Sequence, residues 1–280
     1  MDGVVQCERV PTVRLAHVTD VERIGFPDPT EDYHEASRSY PGVVDPLVGG
    51  AARLEQSIEM RVSTTRAVKR YPGRPRVPLP PSDLGWATLA AAVAGRRSSR
   101  GDGGRPLRLG ELSALLHTAY GVTGDLGDPA QAARAAPSGG ALYPLELYVV
   151  ALELDGVEPS LHHYDPSRHA LERLRLLDES EDVGQLTPYD ELLRGCSALV
   201  IVSAMFWRSR FKYGARAYRF TLMEAGHVAQ GLLLAAAAIG LAAVPVGGFY
   251  DRRVDAFLGI DGLYEASLYL LPVGTRLDRP

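Results

Sequence analysis

Asparagine is absent from the 280-residue chain, so no N-glycosylation acceptor exists. Cysteine occurs twice, at Cys7 and Cys196, too few for a disulfide framework. No Cys-x-x-Cys or His-Glu-x-x-His pair is present, and no metal site is expected. A Gly-x-Ser-x-Gly elbow is also missing. There is no basic excess: Lys+Arg number 30 against 34 Asp+Glu, for a net charge of −4 and a pI near 6.0. That balance excludes a general nucleic-acid binder. The first thirty residues have no apolar run and carry Glu8, Arg9, Arg14, Asp20, Glu22 and Arg23. No secretory signal is read there, and a cytoplasmic protein is expected. Lysine is scarce, with only Lys69 and Lys212. Arginine keeps its proton in a protein, whereas a lysine can be tuned to act as a base.

What is present is ordinary globular material: 46% apolar and 23% charged residues, in a length that suits one large domain or two small ones. The stretch from Val228 to Tyr250 carries no charge, but Pro245, Gly247 and Gly248 break it. The remaining apolar helix is too short to span a bilayer, so no membrane partner is expected. A helix apolar on all sides belongs in a core or an oligomer interface.

Prolines punctuate residues 1–82, which read as an irregular lead-in with short helical pieces at 31–39 and 51–60. Residues 83–280 read as the main domain. Ser82 or Asp83 predicts a cap for a helix ending at Gly95, and Leu109–Tyr120 carries a helical apolar face stopped by Gly121. Residues 122–136 read as a loop. Leu142–Leu154 alternates as a strand, Leu161–Tyr164, Asp165–Arg168 and His169–Arg175 read as strand, turn and strand, and Ala198–Phe206 and Ala266–Val273 as further strands. A long helix is predicted over 213–240. Hairpins mixed with helices predict an α+β sandwich with a mainly antiparallel central sheet. His162, His163 and His169 lie on the hairpin, and surface positions are expected for them.

Four segments carry chemistry. Arg96-Arg97-Ser98-Ser99-Arg100 concentrates guanidiniums and hydroxyls that match phosphate oxygens; a solvated basic loop is the plain alternative. Pro137-Ser138-Gly139-Gly140 feeds a strand and lets backbone amides approach a ligand. It lacks the Gly-Lys-Ser/Thr of a phosphate loop, and a structural turn fits it equally well. Phe211-Lys212-Tyr213 opens the long predicted helix and leads to Glu224 and His227. Helical spacing places Lys212, Arg216 and Arg219 near one face. Cations at a helix start oppose the macrodipole, so an anionic partner is expected there. The fourth segment is the Gly247-Gly248 turn, whose amides suit a planar ring.

As an ordered set these segments resemble the nitroreductase superfamily, and within it the SagB/McbC-type azoline oxidases. The resemblance covers roughly 84–274. Ala141 stands where ordinary nitroreductases carry an asparagine, which favours the SagB-like branch. The resemblance implies a homodimer with FMN at the subunit interface. It assigns Arg96, Arg97, Ser98 and Arg100 to the FMN phosphate and ribityl chain. Pro137, Ser138, Gly139, Gly140, Gly247 and Gly248 would line the isoalloxazine, and Lys212 and Tyr213 would be catalytic. The implied reaction oxidises thiazoline or oxazoline rings of a modified precursor peptide, with a cyclodehydratase as pathway partner. Two alternatives stay open: an NAD(P)H-dependent reductase of nitro, quinone or dehydroamino-acid substrates, and a flavin-free scaffold subunit.

Overall fold

The computed structural model describes residues 29–38, 68–125 and 132–276. Contacts divide the chain into two units, Met1–Val43 and Val44–Pro280. In the first, the described residues form one helix, α1 (Pro29–Ala36). It ends where the Ser37 hydroxyl donates back to the Tyr33 carbonyl at 2.6 Å. The helical piece predicted at 51–60 lies outside the described residues.

The second unit opens with β1 (Arg76–Pro78), α2 (Leu89–Gly95) and α3 (Leu109–Tyr120). A short hairpin follows, β2 (Val122–Asp125) and β3 (Ala132–Arg134). Then come β4 (Leu145–Ala151), β5 (Ser160–Asp165), β6 (Ala170–Leu176) and β7 (Ala198–Met205). The chain continues through α4 (Trp207–Tyr213), α5 (Arg216–Ala238), β8 (Ala242–Ala243), α6 (Asp251–Leu258) and β9 (Glu265–Gly274). Seven strands form one sheet in the order β1-β6-β5-β4-β7-β9-β8, each pair antiparallel.

Period-two alternation along the central strands gives the sheet two buried faces. Leu145, Leu147 and Val149 of β4 and Val200 and Val202 of β7 face one core. Leu112, Leu115 and Leu116 of α3 and Val228, Leu232 and Leu233 of α5 close it. The alternate residues Tyr148, Val150, Leu199 and Ile201 face a second core completed by Val254 and Leu258 of α6. Each such side chain contributes about 1.5–3 kcal/mol on burial. The result is the expected α+β sandwich.

Several boundaries differ from the sequence reading, each for a local reason. The helix predicted from residue 83 starts at Leu89, because Asp83 turns its carboxylate onto the Gly85 amide (2.7 Å) and Thr88 caps α2 instead. The predicted 122–136 loop contains the β2–β3 pair. β4 starts three residues late, after Tyr143 at φ 45 and Pro144, which has no N–H to donate. The long predicted helix breaks at Gly214, which takes φ 55 and ψ −138. The histidines are a clear correction. His162 and His163 are fully buried, because β5 lies between β4 and β6 rather than at an edge. His169 is half-buried against Ser113 and Tyr164. Among the described residues no helix is long and apolar enough to cross a membrane.

Candidate functional site

The Ser138 turn precedes β4 and is closed by the Tyr143 amide, which donates to Ser138 Oγ at 2.9 Å. Within it, Gly140, Ala141 and Tyr143 have φ of 65, 53 and 45. Left-handed backbone costs a non-glycine residue roughly 1–2 kcal/mol, so the surroundings must hold this shape. A Cβ on Gly140 would fall 2.5 Å from Tyr213 Oη and 2.8 Å from Lys212 Nζ. Two separate sequence segments, the glycine turn and the Lys-Tyr pair, therefore meet. The Tyr213 ring also packs edge-on against Phe220 at 5.1 Å, and the Lys212 ammonium lies 5.3 Å from the Tyr213 ring centre.

Because of the Gly214 break, Lys212 and Tyr213 close α4, whereas Arg216 and Arg219 open α5. The single cationic helix face expected from spacing does not form. Lys212 sits at a helix C-terminus, where a cation is favoured rather than opposed by the macrodipole.

The arginine cluster follows α2, which packs on α5. The Arg97 guanidinium donates to the carbonyls of Ala94 (2.9 Å) and Arg96 (2.8 Å), and Arg100 donates to the Glu191 carbonyl (3.1 Å). Arg276 reaches Ser99 Oγ at 2.6 Å, bringing a further guanidinium to the loop. Ser98 is exposed. Among the described residues Arg96, Arg97 and Arg100 join no ion pair, in contrast to Arg105 and Arg108, both bound to Glu111. Cations without carboxylate partners suit an anionic ligand.

Gly247 and Gly248 are exposed and pack on aromatic rings. A Cβ would fall 3.9 Å from Tyr269 at Gly247 and 2.8 Å from Tyr189 at Gly248. The Gly248 carbonyl also accepts from Thr187 Oγ1 at 2.6 Å. The Thr187–Glu191 segment therefore touches both Gly248 and Arg100. A cavity of about 580 Å³ is lined by Arg100, Gly101, Asp102, Glu191, Arg194 and Gly195. Within one chain, contacts thus make two groupings: Pro137–Gly140 with Lys212–Tyr213, and Arg100 with Gly248 through Thr187–Glu191.

Sequence reasoning did not assign roles to the polar groups behind the turn. Glu224 of α5 is buried and accepts from Tyr120 Oη at 2.8 Å. Burial pushes its carboxyl up to about 7; Ser138, Tyr120, Arg134 and Arg208 pull the other way without cancelling this. The Arg134 guanidinium lies between the Tyr120 and Tyr143 rings, 4.4 and 4.6 Å from their centres. One signal was available: Glu224 is the lone acid of α5, whose second half is almost wholly apolar.

On the other face of the sheet lies a denser network. Glu146 pairs with Arg208 (2.5 Å) and His163 (2.7 Å), and Glu265 pairs with Lys69 (2.6 Å). Tyr148 Oη donates to Glu265 at 2.8 Å and accepts from Lys69 Nζ at 2.7 Å. Burial opposes the Lys69 charge, but Glu265 and Tyr71 outweigh it and raise its pKa. Lys69 is therefore committed to structure. Among the described residues no three His, Cys, Asp or Glu side chains gather as a metal site.

The nitroreductase family profile matches residues 93–275, well over half of the chain. The chain belongs to the nitroreductase family. The Methanocaldococcus jannaschii protein MJ1384, named as a nitroreductase, is 40% identical over 200 residues, covering 70% of this chain and 95% of that protein. The microcin B17-processing protein McbC of Escherichia coli is 32% identical over 139 residues, covering 48% of this chain and 51% of McbC, about half its length. A chain of the E. coli microcin synthetase McbBCD complex with truncated pro-MccB17 bound has the same fold. It matches at TM-score 0.57 and 24% identity, over 91% of this chain and 96% of that one.

Proposed function

We propose that the protein is an FMN-dependent dehydrogenase that oxidises thiazoline or oxazoline rings of a modified precursor peptide to thiazole or oxazole. The observation that carries this reading is the packing of Lys212 Nζ and Tyr213 Oη on Gly140, in a nitroreductase-family chain similar to McbC.

The residues present fit FMN. Gly140 has no room for a side chain, so the turn offers its backbone to a ligand. Arg96, Arg97 and Arg100 are cations without carboxylate partners among the described residues. Arg96, Arg97, Ser98 and Arg100 would hold the phosphate and ribityl chain, and Pro137, Ser138, Gly139, Gly140, Gly247 and Gly248 the ring system. Bound FMN supplies a two-electron acceptor. Lys212 removes a proton from the azoline ring carbon, and Tyr213 orients the amine toward it. A positioned base of this kind contributes on the order of 10²–10⁴ in rate. Aromaticity of the product adds driving force.

A second copy would complete the site. Leu89 and Val93 on α2 and Leu222 and Met223 on α5 are exposed apolar residues on helices that pack together. Burying them in a symmetric pair accounts for their exposure. The peptide substrate would come from a cyclodehydratase, since ring closure must precede ring oxidation.

Similarity to MJ1384 over nearly all of that protein favours a second reading, an NAD(P)H-driven reductase using the same FMN. Two measurements separate them. Purified protein should be yellow and release FMN on denaturation. Lys212→Ala should keep its FMN and lose azole formation by about 10²–10⁴. Near-normal turnover would remove Lys212 from the mechanism. Rapid bleaching by NADPH with no activity on azolines would select the reductase.

A further inference from the structure

Tyr143 closes the glycine turn in a left-handed conformation, at φ 45, and three of its atoms are held. Its amide donates to Ser138 Oγ (2.9 Å), its hydroxyl accepts from the Arg134 amide (3.1 Å), and its carbonyl accepts from Arg208 Nη1 (3.2 Å). The third bond comes from α4, the helix that ends in Lys212 and Tyr213. Arg208 precedes Lys212 by four residues, which puts the two side chains on one helix face. A cation in the first turn of a helix opposes the macrodipole, so α4 alone does not explain Arg208. The other arm of its fork does. Arg208 Nη2 meets Glu146 Oε1 at 2.5 Å, and Glu146 sits on β4, three residues after Tyr143. Its Oε1 also accepts from the Lys69 amide (3.0 Å), and its Oε2 lies 2.7 Å from His163 Nε2. With both oxygens occupied and the side chain buried, this anchor is rigid.

We propose that Arg208 is a positioning residue: forked between Glu146 and the Tyr143 carbonyl, it sets α4 against the glycine turn and so fixes where the Lys212 amine stands. This rests on the reading of Lys212 as the base. A guanidinium is planar, and its arms have a fixed angle between them. With one arm on Glu146, the other dictates how far the Tyr143 carbonyl lies from α4. One turn along the same helix, Lys212 Nζ reaches the turn, 2.8 Å from where a Gly140 Cβ would fall. Arg208 thus fastens at one end of α4 the two segments that meet at the other.

The test is a double-mutant cycle on the full chain loaded with FMN, reading kcat and KM for azole formation, with a urea melt of each variant. Arg208→Lys keeps a charge opposite Glu146 and loses the planar fork. Its kcat should fall about 10²-fold, the cost of a misplacement on the order of 1 Å, with KM for the azoline peptide unchanged. In the Lys212→Ala background the same change should alter kcat by less than about threefold, because the amine it places is gone. A loss through partial unfolding would instead appear in both backgrounds. Equal losses in the two backgrounds, or a wild-type kcat for Arg208→Lys, would overturn the inference and leave the dehydrogenase reading intact. Near-normal turnover of Lys212→Ala alone would remove the base and this inference with it. A wild-type chain that forms no azole would sink the functional reading and the inference together. If Arg208→Lys does not fold, Glu146→Gln, which leaves one oxygen for the fork, carries the cycle. A kcat loss seen only with Lys212 present supports the inference, and an equal loss without Lys212, or no loss, refutes it.

Discussion

Glu146 and Glu224 are each 3% exposed, yet they lie on opposite faces of the sheet and hold their protons in opposite ways. Burial works to raise both. Glu146 is nonetheless brought down to about 2 by Arg208, His163 and the Lys69 amide. Glu224 faces neutral hydroxyls, with Arg134 and Arg208 acting without a direct ion pair, and stays at about 7. Depth is the same, so partners decide. One acid is a fixed anion that ties the Lys69–Tyr71 segment to the sheet. The other stands beside the candidate site with a movable proton.

Arg208 touches both regions, so its loss is the severest test of this contrast. It pairs with Glu146 and also donates to the Tyr143 carbonyl at 3.2 Å. Arg208→Met leaves a buried carboxylate short of its main counter-charge. Stability should fall by about 3–5 kcal/mol in urea denaturation at neutral pH. A loss under about 1 kcal/mol would mean that His163 and the Lys69 amide suffice for Glu146.

The same conservative change at the two acids should act with opposite sign. For Glu146 the folded pKa is depressed. Its stabilisation is full above about 4.5 and fades as pH falls toward about 2. Glu146→Gln should therefore lose stability at neutral pH. For Glu224 the folded pKa is raised, so the folded chain binds the proton more tightly than the unfolded chain. Wild-type stability declines as pH climbs from about 4.5 to about 7. Glu224→Gln removes that decline and should gain up to about 3 kcal/mol at pH near 8, with no gain below about pH 4.5. Denaturation curves at the two pH values check this, and a loss at pH 8 would break the contrast.

The apolar frame was legible before the structure. Leu145, Leu147 and Val149 alternate with Glu146, Tyr148 and Val150, and both sets lie where a period of two puts them. The Lys212–Tyr213 pair and the Ser138 turn stand out as sequence motifs, and the fold brings Gly140 against both side chains. Local sequence does not contain strand order. His162 and His163 look like hairpin surface until β5 is seen between β4 and β6. The Gly214 break was hidden in the same way, since a glycine at the start of a long helical period reads as a tolerated helix position. Glu224 stood in plain view inside a named segment. Spacing does not tell which polar side chain loses its water, and desolvation is what sets its behaviour.

The smallest effect concerns two adjacent glycines on the Glu224 side, and it tests how closely the turn is fitted to the Lys-Tyr pair. Gly139 has an ordinary backbone, and a Cβ there would meet Phe220 at 3.5 Å and Tyr213 at 3.7 Å, normal van der Waals distances. Gly139→Ala should change stability by no more than about 0.5 kcal/mol. Gly140 has φ +65, and its Cβ would overlap Tyr213 Oη and Lys212 Nζ. Gly140→Ala should cost about 1–2 kcal/mol from backbone strain alone. The atoms it displaces are the tips of flexible side chains, which can move aside without unfolding anything. Under the proposed mechanism turnover should therefore fall much further than stability, because the Lys212 amine is displaced. Thermal melts and azole formation measured on the same two variants separate these effects. Equal turnover from both alanines would mean that the contact between Gly140 and Lys212 does not position the base.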